Sequence, residues 1–222
     1  MRGASVSPFG MTGDRQYALI DHASGLPAAP EKEPRWRKAL YLQATCADEH
    51  IPTISFPDGP SCSLADSSLN GRLSDYFGFA TAVAVYERRE GDAAFPLTRH
   101  RQHHFPMHVL TTASLKHLAA LRHVEAIDSR RFRPTVLIDV REGGGFTEGE
   151  WIGRRLRLGA IDLTAQDDAR RCGMTFIAQP GLDDDPEILR TILRHNKRNL
   201  GIYCSIDGIG AIQLGDELFI AD

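Results

Sequence analysis

The chain has 222 residues, a formal net charge of −3, 42% hydrophobic and 25% charged residues, the balance of a globular protein long enough for one large domain or two small ones sharing a core. That charge excludes a nucleic-acid binder working by bulk electrostatics, and no run of about 18 apolar residues is present to span a membrane. Four cysteines, Cys46, Cys62, Cys172 and Cys204, stand far apart with no C-x-x-C pair, which argues for a reducing compartment and against a zinc knuckle. With no apolar leader after Met1, the chain reads as soluble and cytoplasmic.

Residues 1–13 are small and rich in Gly, Ser and Pro, a loose lead-in. Asp14–Asp21 alternates as a strand, closed by the turn Ser24-Gly25. Ala28–Arg37, with Pro30, Pro34 and several charges, is loop or a short helix. Tyr41–Thr45 reads as a strand, and Ile51–Phe56 as an edge strand because Pro52 interrupts it. Asp66–Tyr76 predicts a short helix, and the Ala- and Val-rich Phe79–Tyr86 a strand. Between Asp92 and Pro106 the pattern breaks, and four histidines (His100, His103, His104, His108) crowd together. Imidazoles suit zinc, but no carboxylate or thiol accompanies them and the interleaved arginines repel a dication, so the reading is a connector loop. The boundary between two halves, 1–104 and 105–222, falls here.

Val109-Leu110-Thr111 predicts a strand running into Thr112-Ala113-Ser114, hydroxyl residues of N-cap type that open a helix with Leu115, Leu118 and Leu121 on one stripe. Such a helix start is a natural seat for a phosphate. Arg130, Arg131 and Arg133 then crowd a turn that feeds Thr135–Val140, an apolar run expected to be buried on both faces. Their planar forks suit phosphate oxygens. Arg141–Gly149 is a flexible glycine loop without the Lys-Ser/Thr of a Walker A site. The alternation Arg154–Leu158, turned by Gly159-Ala160 into Ile161–Thr164, is a half-buried hairpin. Asp183–Lys197 is the clearest helix, opened by acids and Pro186 and closed by Lys197-Arg198. The short strands Ile202–Ile206, Ala211–Leu214 and Leu218–Ile220, split by Gly turns, suggest a closed barrel.

The stretch that carries chemistry is Arg170-Arg171-Cys172-Gly173-Met174-Thr175. A thiolate is the reactive and metal-binding form of cysteine; the two guanidiniums beside Cys172 are expected to stabilise it, and soft sulfur suits a redox metal.

With Thr112-Ala113-Ser114-Leu115, Arg131-Phe132-Arg133-Pro134, Trp151-x-Gly153, Arg171-Cys172-x-Met174-Thr175, Asn199-x-Gly201-x-Tyr203 and Leu214-Gly215-Asp216 in order, the second half resembles a MOSC domain, the module named after the C-terminal domain of molybdenum cofactor sulfurases. Asp14-Arg15 with Tyr17–Asp21 resembles the start of the β-rich N-terminal partner of longer members. The resemblance implies a mainly β fold with a few helices (α+β), a MOSC-type β-barrel packed with an N-terminal β-rich subdomain, holding a molybdenum–molybdopterin cofactor. Relatives include the mitochondrial amidoxime-reducing component and bacterial proteins that reduce N-hydroxylated bases. In them the cysteine matching Cys172 ligates molybdenum, and residues matching Arg15, Thr112, Ser114, Arg133, Thr135, Arg170 and Tyr203 surround the pterin and its phosphate. Arg131 and Arg171 join this set on chemical grounds, as further guanidinium forks. The chain departs from the usual Tyr-Pro-Val-Lys-Ser opening, carrying Ser5–Gly10 there, and from the usual Arg-Pro-Asn, carrying Arg133-Pro134-Thr135.

The leading expectation is a molybdenum-dependent oxidoreductase that removes oxygen from N-hydroxylated small molecules, served by an electron-donor protein, with no nucleic-acid or membrane partner. The alternative is a non-redox sulfur or cofactor carrier, or a module for an anionic ligand, in which Cys172 is a reactive thiol of lowered pKa. A metal hydrolase built on His100–His108 ranks third.

Overall fold

The computed structural model describes residues 3–46, 51–85, 106–141 and 143–221. The expected domain boundary and three of the clustered histidines (His100, His103, His104) lie outside them. The elements are β1 (Gly3–Ser7), β2 (Gly10–Met11), β3 (Tyr17–Asp21), β4 (Gln43–Thr45), β5 (Thr53–Ser55), β6 (Cys62–Ser63), α1 (Leu69–Phe77), β7 (Thr81–Val85), β8 (Met107–Thr111), α2 (Thr112–Arg122), β9 (Val136–Ile138), β10 (Arg155–Leu158), β11 (Ile161–Arg170), α3 (Pro186–Asn196), β12 (Asn199–Asp207), β13 (Gly210–Gln213) and β14 (Leu218–Ile220). The fold is mainly β with a few helices, as the sequence implies. Among the described residues no helix is long and apolar enough to cross a membrane.

The backbone of the second half is a six-stranded sheet in the order β14-β10-β11-β12-β8-β9. It curls into a half-barrel around Met107, Val109, Trp151, Leu156, Leu163, Ile202 and Ile206. A small sheet, β13-β1-β2, covers this core and adds Val6 and Ile212 to it. The expected loose lead-in is therefore strand: Gly3–Val6 pairs antiparallel with Gly210–Gln213. Hydroxyls and glycines carry little strand propensity, and the pairing comes from a partner at the far end of the chain, where local pattern cannot see it.

The other face of the sheet is covered by α2 and α3, which bury Leu110, Leu115, Leu118, Phe132, Ile188, Ile192 and Leu200. In β8 every residue is buried, because it lies between β12 and β9 with a core on either side. The sequence pattern assigns that role to Thr135–Val140. That run instead supplies β9, an edge strand paired parallel to β8 with Leu137 exposed. Apolar content alone does not distinguish the interior strand from the edge. The remaining N-terminal elements pack around Trp36, Ile54, Leu69, Leu73 and Phe77, with the Trp36 ring edge-on to Phe77 and Phe79 at 5.0 and 4.8 Å.

Two polar anchors hold the helices and the central strands in place. The glycine loop expected at 141–149 ends in a 3-10 turn, Thr147–Trp151, that drives Glu148 into the interior. Its carboxylate accepts from Thr111 Oγ1 at 2.7 Å, Ser114 Oγ at 2.5 Å and the Gly201 amide at 2.9 Å. At the start of α3, Asp185 caps the Glu187 amide and takes a two-pronged bond from Arg122 at 2.9 and 3.0 Å, joining the ends of the two helices.

Replacing Glu148 by Ala leaves three enclosed donors unmet and is expected to cost at least about 3 kcal/mol, read from urea unfolding. Asp185→Asn keeps a capping oxygen and removes the charge, and is expected to cost about 1 kcal/mol at pH 7. Burial pushes the Asp185 carboxyl up, but the Arg122 hydrogen bonds and charge together hold it below the usual value. The folded form therefore binds that proton less readily than the unfolded chain. The ion-pair contribution is complete above the ordinary Asp pKa of about 4. The difference between wild type and Asp185→Asn should shrink as pH falls below that value.

Candidate functional site

Strand β11 runs further than its sequence alternation predicts, to Arg170, and delivers Cys172 just beyond the sheet at the entry to a 3-10 turn, Gly173–Thr175. The turn is closed by Thr175, whose amide and hydroxyl both donate to the Cys172 carbonyl at 3.1 and 3.0 Å. The two neighbouring arginines part company here: Arg170 is exposed while Arg171 is 7% exposed. Arg171 is pinned by its backbone, since its amide donates to the Arg198 carbonyl at 2.8 Å and its own carbonyl accepts from Arg198 Nε. Its Nη1 donates to the Phe132 carbonyl at 3.1 Å, and its Nε is enclosed without a partner. Among the described residues it forms no ion pair.

The Cys172 sulfur faces a charge from the other half of the chain. Glu31 lies against this turn: a methyl group on Gly173 would sit 3.6 Å from Glu31 Cβ. Burial first, then the Glu31 hydrogen bond, pushes the thiol pKa up; the Glu31 charge adds to this, while the Met174 amide and the Arg171 charge only partly oppose it. This corrects the expectation that Arg170 and Arg171 lower it. One guanidinium is turned to solvent, and the other is outweighed by burial and a carboxylate. At neutral pH the sulfur is a thiol.

A second residue that sequence reasoning placed elsewhere occupies the middle of the cationic cluster. His108, read with the connector histidines, is an interior residue of β8, 4% exposed. Its amide donates to Thr135 Oγ1 at 3.1 Å, and its carbonyl accepts the Thr135 amide at 2.9 Å. Its ring packs 5.5 Å from that of Tyr203 and fills the space left by Gly201, where an added methyl would fall 2.3 Å from Nε2. Gly201 also has φ +82°, a region costly to any side chain. The charges of Arg171 and Arg15 and the carbonyls of Arg133 and Leu200 all act on this ring. Arg15 and Arg133 themselves adopt positive φ, 56° and 50°, a strain of order 1–3 kcal/mol each that concentrates at working sites. The alternation of β8 and β12 that makes His108 and Gly201 neighbours is visible in the sequence only once the two strands are known to pair.

His108 thus meets the charges of Arg171 and Arg15, the backbone of Arg133, the Thr135 hydroxyl and the Tyr203 ring, and the Arg171 charge also reaches Cys172. The other predicted residues are used differently. The Ser114 hydroxyl is buried and committed to Glu148, and Thr112 Oγ1 donates to Asp139 at 2.8 Å and accepts the Val140 amide. Arg131 is buried on the helix side, donating through Nη2 to the Asp183 carbonyl at 2.7 Å and lining a cavity with Ile127 and Ile188. Among the described residues no three His, Cys, Asp or Glu side chains converge as a cation site.

Burial foremost, and then the Arg171 charge, depresses the His108 pKa to about 3. In the unfolded chain the same ring takes up a proton near pH 6.5, so between these values the unfolded state binds more protons and stability rises with pH. The His108 ring resonances should stay constant from pH 8 to 5. Below pH 6.5 the wild type should lose up to about 1.4 kcal/mol per pH unit relative to His108→Asn.

The chain is similar in structure to YiiM from Geobacillus stearothermophilus, at 13% identity over 53% of this chain and 54% of that one, with a TM-score of 0.41. It is likewise similar to the YuaD protein from Bacillus subtilis, at 13% identity over 98% and 92% of the two chains, with a TM-score of 0.42. The match therefore spans about half the length of YiiM. No curated protein matches by sequence. The profile of the MOSC domain covers residues 96–219, more than half of the chain, and the protein belongs to the MOSC domain family.

Proposed function

We propose that the protein is a molybdenum-cofactor-dependent reductase of N-hydroxylated or other N-oxygenated small molecules, with Cys172 as the metal ligand. One observation carries the reading: a half-buried cysteine stands beside Arg171, a buried guanidinium with an unmet N–H and no carboxylate partner among the described residues. A buried cation in that state calls for an anionic ligand, and the strained Arg15 and Arg133 act on the same place. The residues fit the anionic end of a molybdopterin group. Arg15, Arg133 and Arg171 would hold it, with Tyr203 beside them, and the Cys172 sulfur would meet the metal.

When bound, the group supplies a two-electron centre able to take oxygen from nitrogen, so that an N-hydroxy compound, two electrons and two protons give the amine and water. The electrons would come from a separate donor protein. The chain's own part is to hold and orient. Cys172 must lose its proton to ligate, and burial together with Glu31 holds that proton on the sulfur in the absence of a ligand. The neutral His108 packs under the cluster without adding charge to it.

Freshly purified protein should contain one molybdenum per chain with an extractable pterin. Cys172→Ser should lose the metal and at least about 100-fold in reduction of an N-hydroxy substrate, because a hydroxyl is a poor soft-metal ligand, with its melting temperature within a few degrees of wild type. Equal turnover by that variant rules out the ligand assignment.

A further inference from the structure

Of the three arginines crowded at 130–133, Arg131 stands at a second cavity, of about 330 Å³, where the chain leaves α2 and enters α3. Ile127, Leu182 and Ile188 give this cavity apolar walls, and Asp128, Arg131 and Asp185 supply its charges; Cys172, His108, Arg133 and Tyr203 do not line it. Both carboxylates are already committed. Asp128 takes Arg130 through Nε and Nη2 at 3.0 and 2.7 Å, and Asp185 takes the two-pronged bond from Arg122 while capping α3. Arg131 is the cation left over. It is 8% exposed and forms no ion pair among the described residues. Its Nη2 donates to the Asp183 carbonyl at 2.7 Å, and its Nη1 is enclosed with no hydrogen-bond partner. A charged donor left unmet out of water is costly, and an acceptor brought into the cavity relieves it. The rim leaves a way in, since Val124 and Ala126 are exposed.

We propose that this cavity is a binding site for a small aliphatic monocarboxylate, held by Arg131 Nη1 at its charged end and by Ile127, Leu182 and Ile188 along its tail. The site is separate from the Cys172 pocket and does not depend on the function proposed there. Its walls set the class of ligand. A carboxylate offers acceptor oxygens in the plane that suits a guanidinium, and one negative charge balances one surplus cation. A dianion such as a phosphate monoester is disfavoured, because Asp128 and Asp185 repel its second charge and the apolar walls offer its other oxygens no donor. The tail is required as well: the volume is that of a small-molecule pocket, larger than a bare ion needs, and aliphatic carbons gain by leaving water against Ile127, Leu182 and Ile188.

The test titrates hexanoate into the full chain labelled with nitrogen-15, with hexanamide as the neutral isostere and hexylammonium as the opposite charge, and reads affinity and location from the amide resonances. Hexanoate should bind with a dissociation constant on the order of 1 mM, the range of a fragment of its size, and should shift the amides of Ala126–Asp128 and Leu182–Asp185. Hexanamide should bind at least about tenfold more weakly, because a charge-assisted hydrogen bond becomes a neutral one, and hexylammonium more weakly again. Arg131→Met should abolish the preference for hexanoate over hexanamide, and Arg131→Lys should keep part of it. Ala126→Phe, on the exposed rim and outside the bonding of Arg131, should close the cavity to both ligands. Where Arg131→Met does not fold, the Ala126→Phe result and the map of shifted amides decide. Absence of saturable hexanoate binding, equal affinity of the wild type for hexanoate and hexanamide, or a preference that survives in Arg131→Met overturns the inference. So does unchanged binding in Ala126→Phe, or a set of shifted amides gathered around Cys172 instead. The titration needs no cofactor, so failure of the reductase reading leaves its outcome untouched.

Discussion

A buried carboxylate met by three hydrogen-bond donors organises the second half of this protein. Glu148 is 1% exposed and is made tolerable by hydrogen bonds from three separate elements: the end of β8, the first turn of α2, and β12 at Gly201. A buried charge is stable only when its lone pairs are met by fixed donors, so these elements have little freedom to move apart. Gly201 is the joint. Its amide faces Glu148, its positive φ falls at the register shift between β11 and β12, and its bare α-carbon admits the His108 ring. What stands on the helix side of the sheet is thereby placed by an anchor within it.

The chemistry of the site comes from opposed charges held at short range. Sequence proximity puts two guanidiniums next to one sulfur; three-dimensional proximity puts a carboxylate there as well and turns one guanidinium away. Burial adds to the carboxylate, and the sulfur keeps its proton. His108 is neutral for a related reason, burial first and then the Arg171 charge. A thiol held protonated in this way is a weaker nucleophile than a thiolate. That runs against the lowered thiol pKa expected in the alternative reading from the sequence.

Much of this is legible from the chain alone, and the failures have common causes. The hairpin β10–β11, helix α3 with its Asp185 and Pro186 start, and the Arg-Cys-x-Met-Thr segment are readable because the signals are local: period, caps and a short motif. The strand β1 is not, because its partner β13 lies at the other end of the chain. The run Thr135–Val140 attracts the burial that belongs to β8, since two neighbouring apolar runs carry no label saying which is central. Of the residues expected around a ligand, Arg15, Arg133, Thr135, Arg171 and Tyr203 meet His108, whereas the hydroxyls of Thr112 and Ser114 engage carboxylates. Glu31 carries no signal in the sequence: it is one charge among several in a proline-rich loop, and only its packing against Gly173, some 140 residues away in the chain, brings it to Cys172.

That same β1–β13 pairing sets an order of events in folding. Val6 enters the half-barrel core on a strand whose ladder with β13 joins residues about two hundred positions apart. Bringing together rails so distant in the chain is slow, because the loop entropy is lost before the contacts repay it. The local pairing of β1 with β2 can form early, whereas its pairing with β13 waits for a loop of some two hundred residues to close. Few apolar side chains in Gly3–Ser7 make that wait a safe one, since a sticky early strand left without its mate invites pairing with other chains.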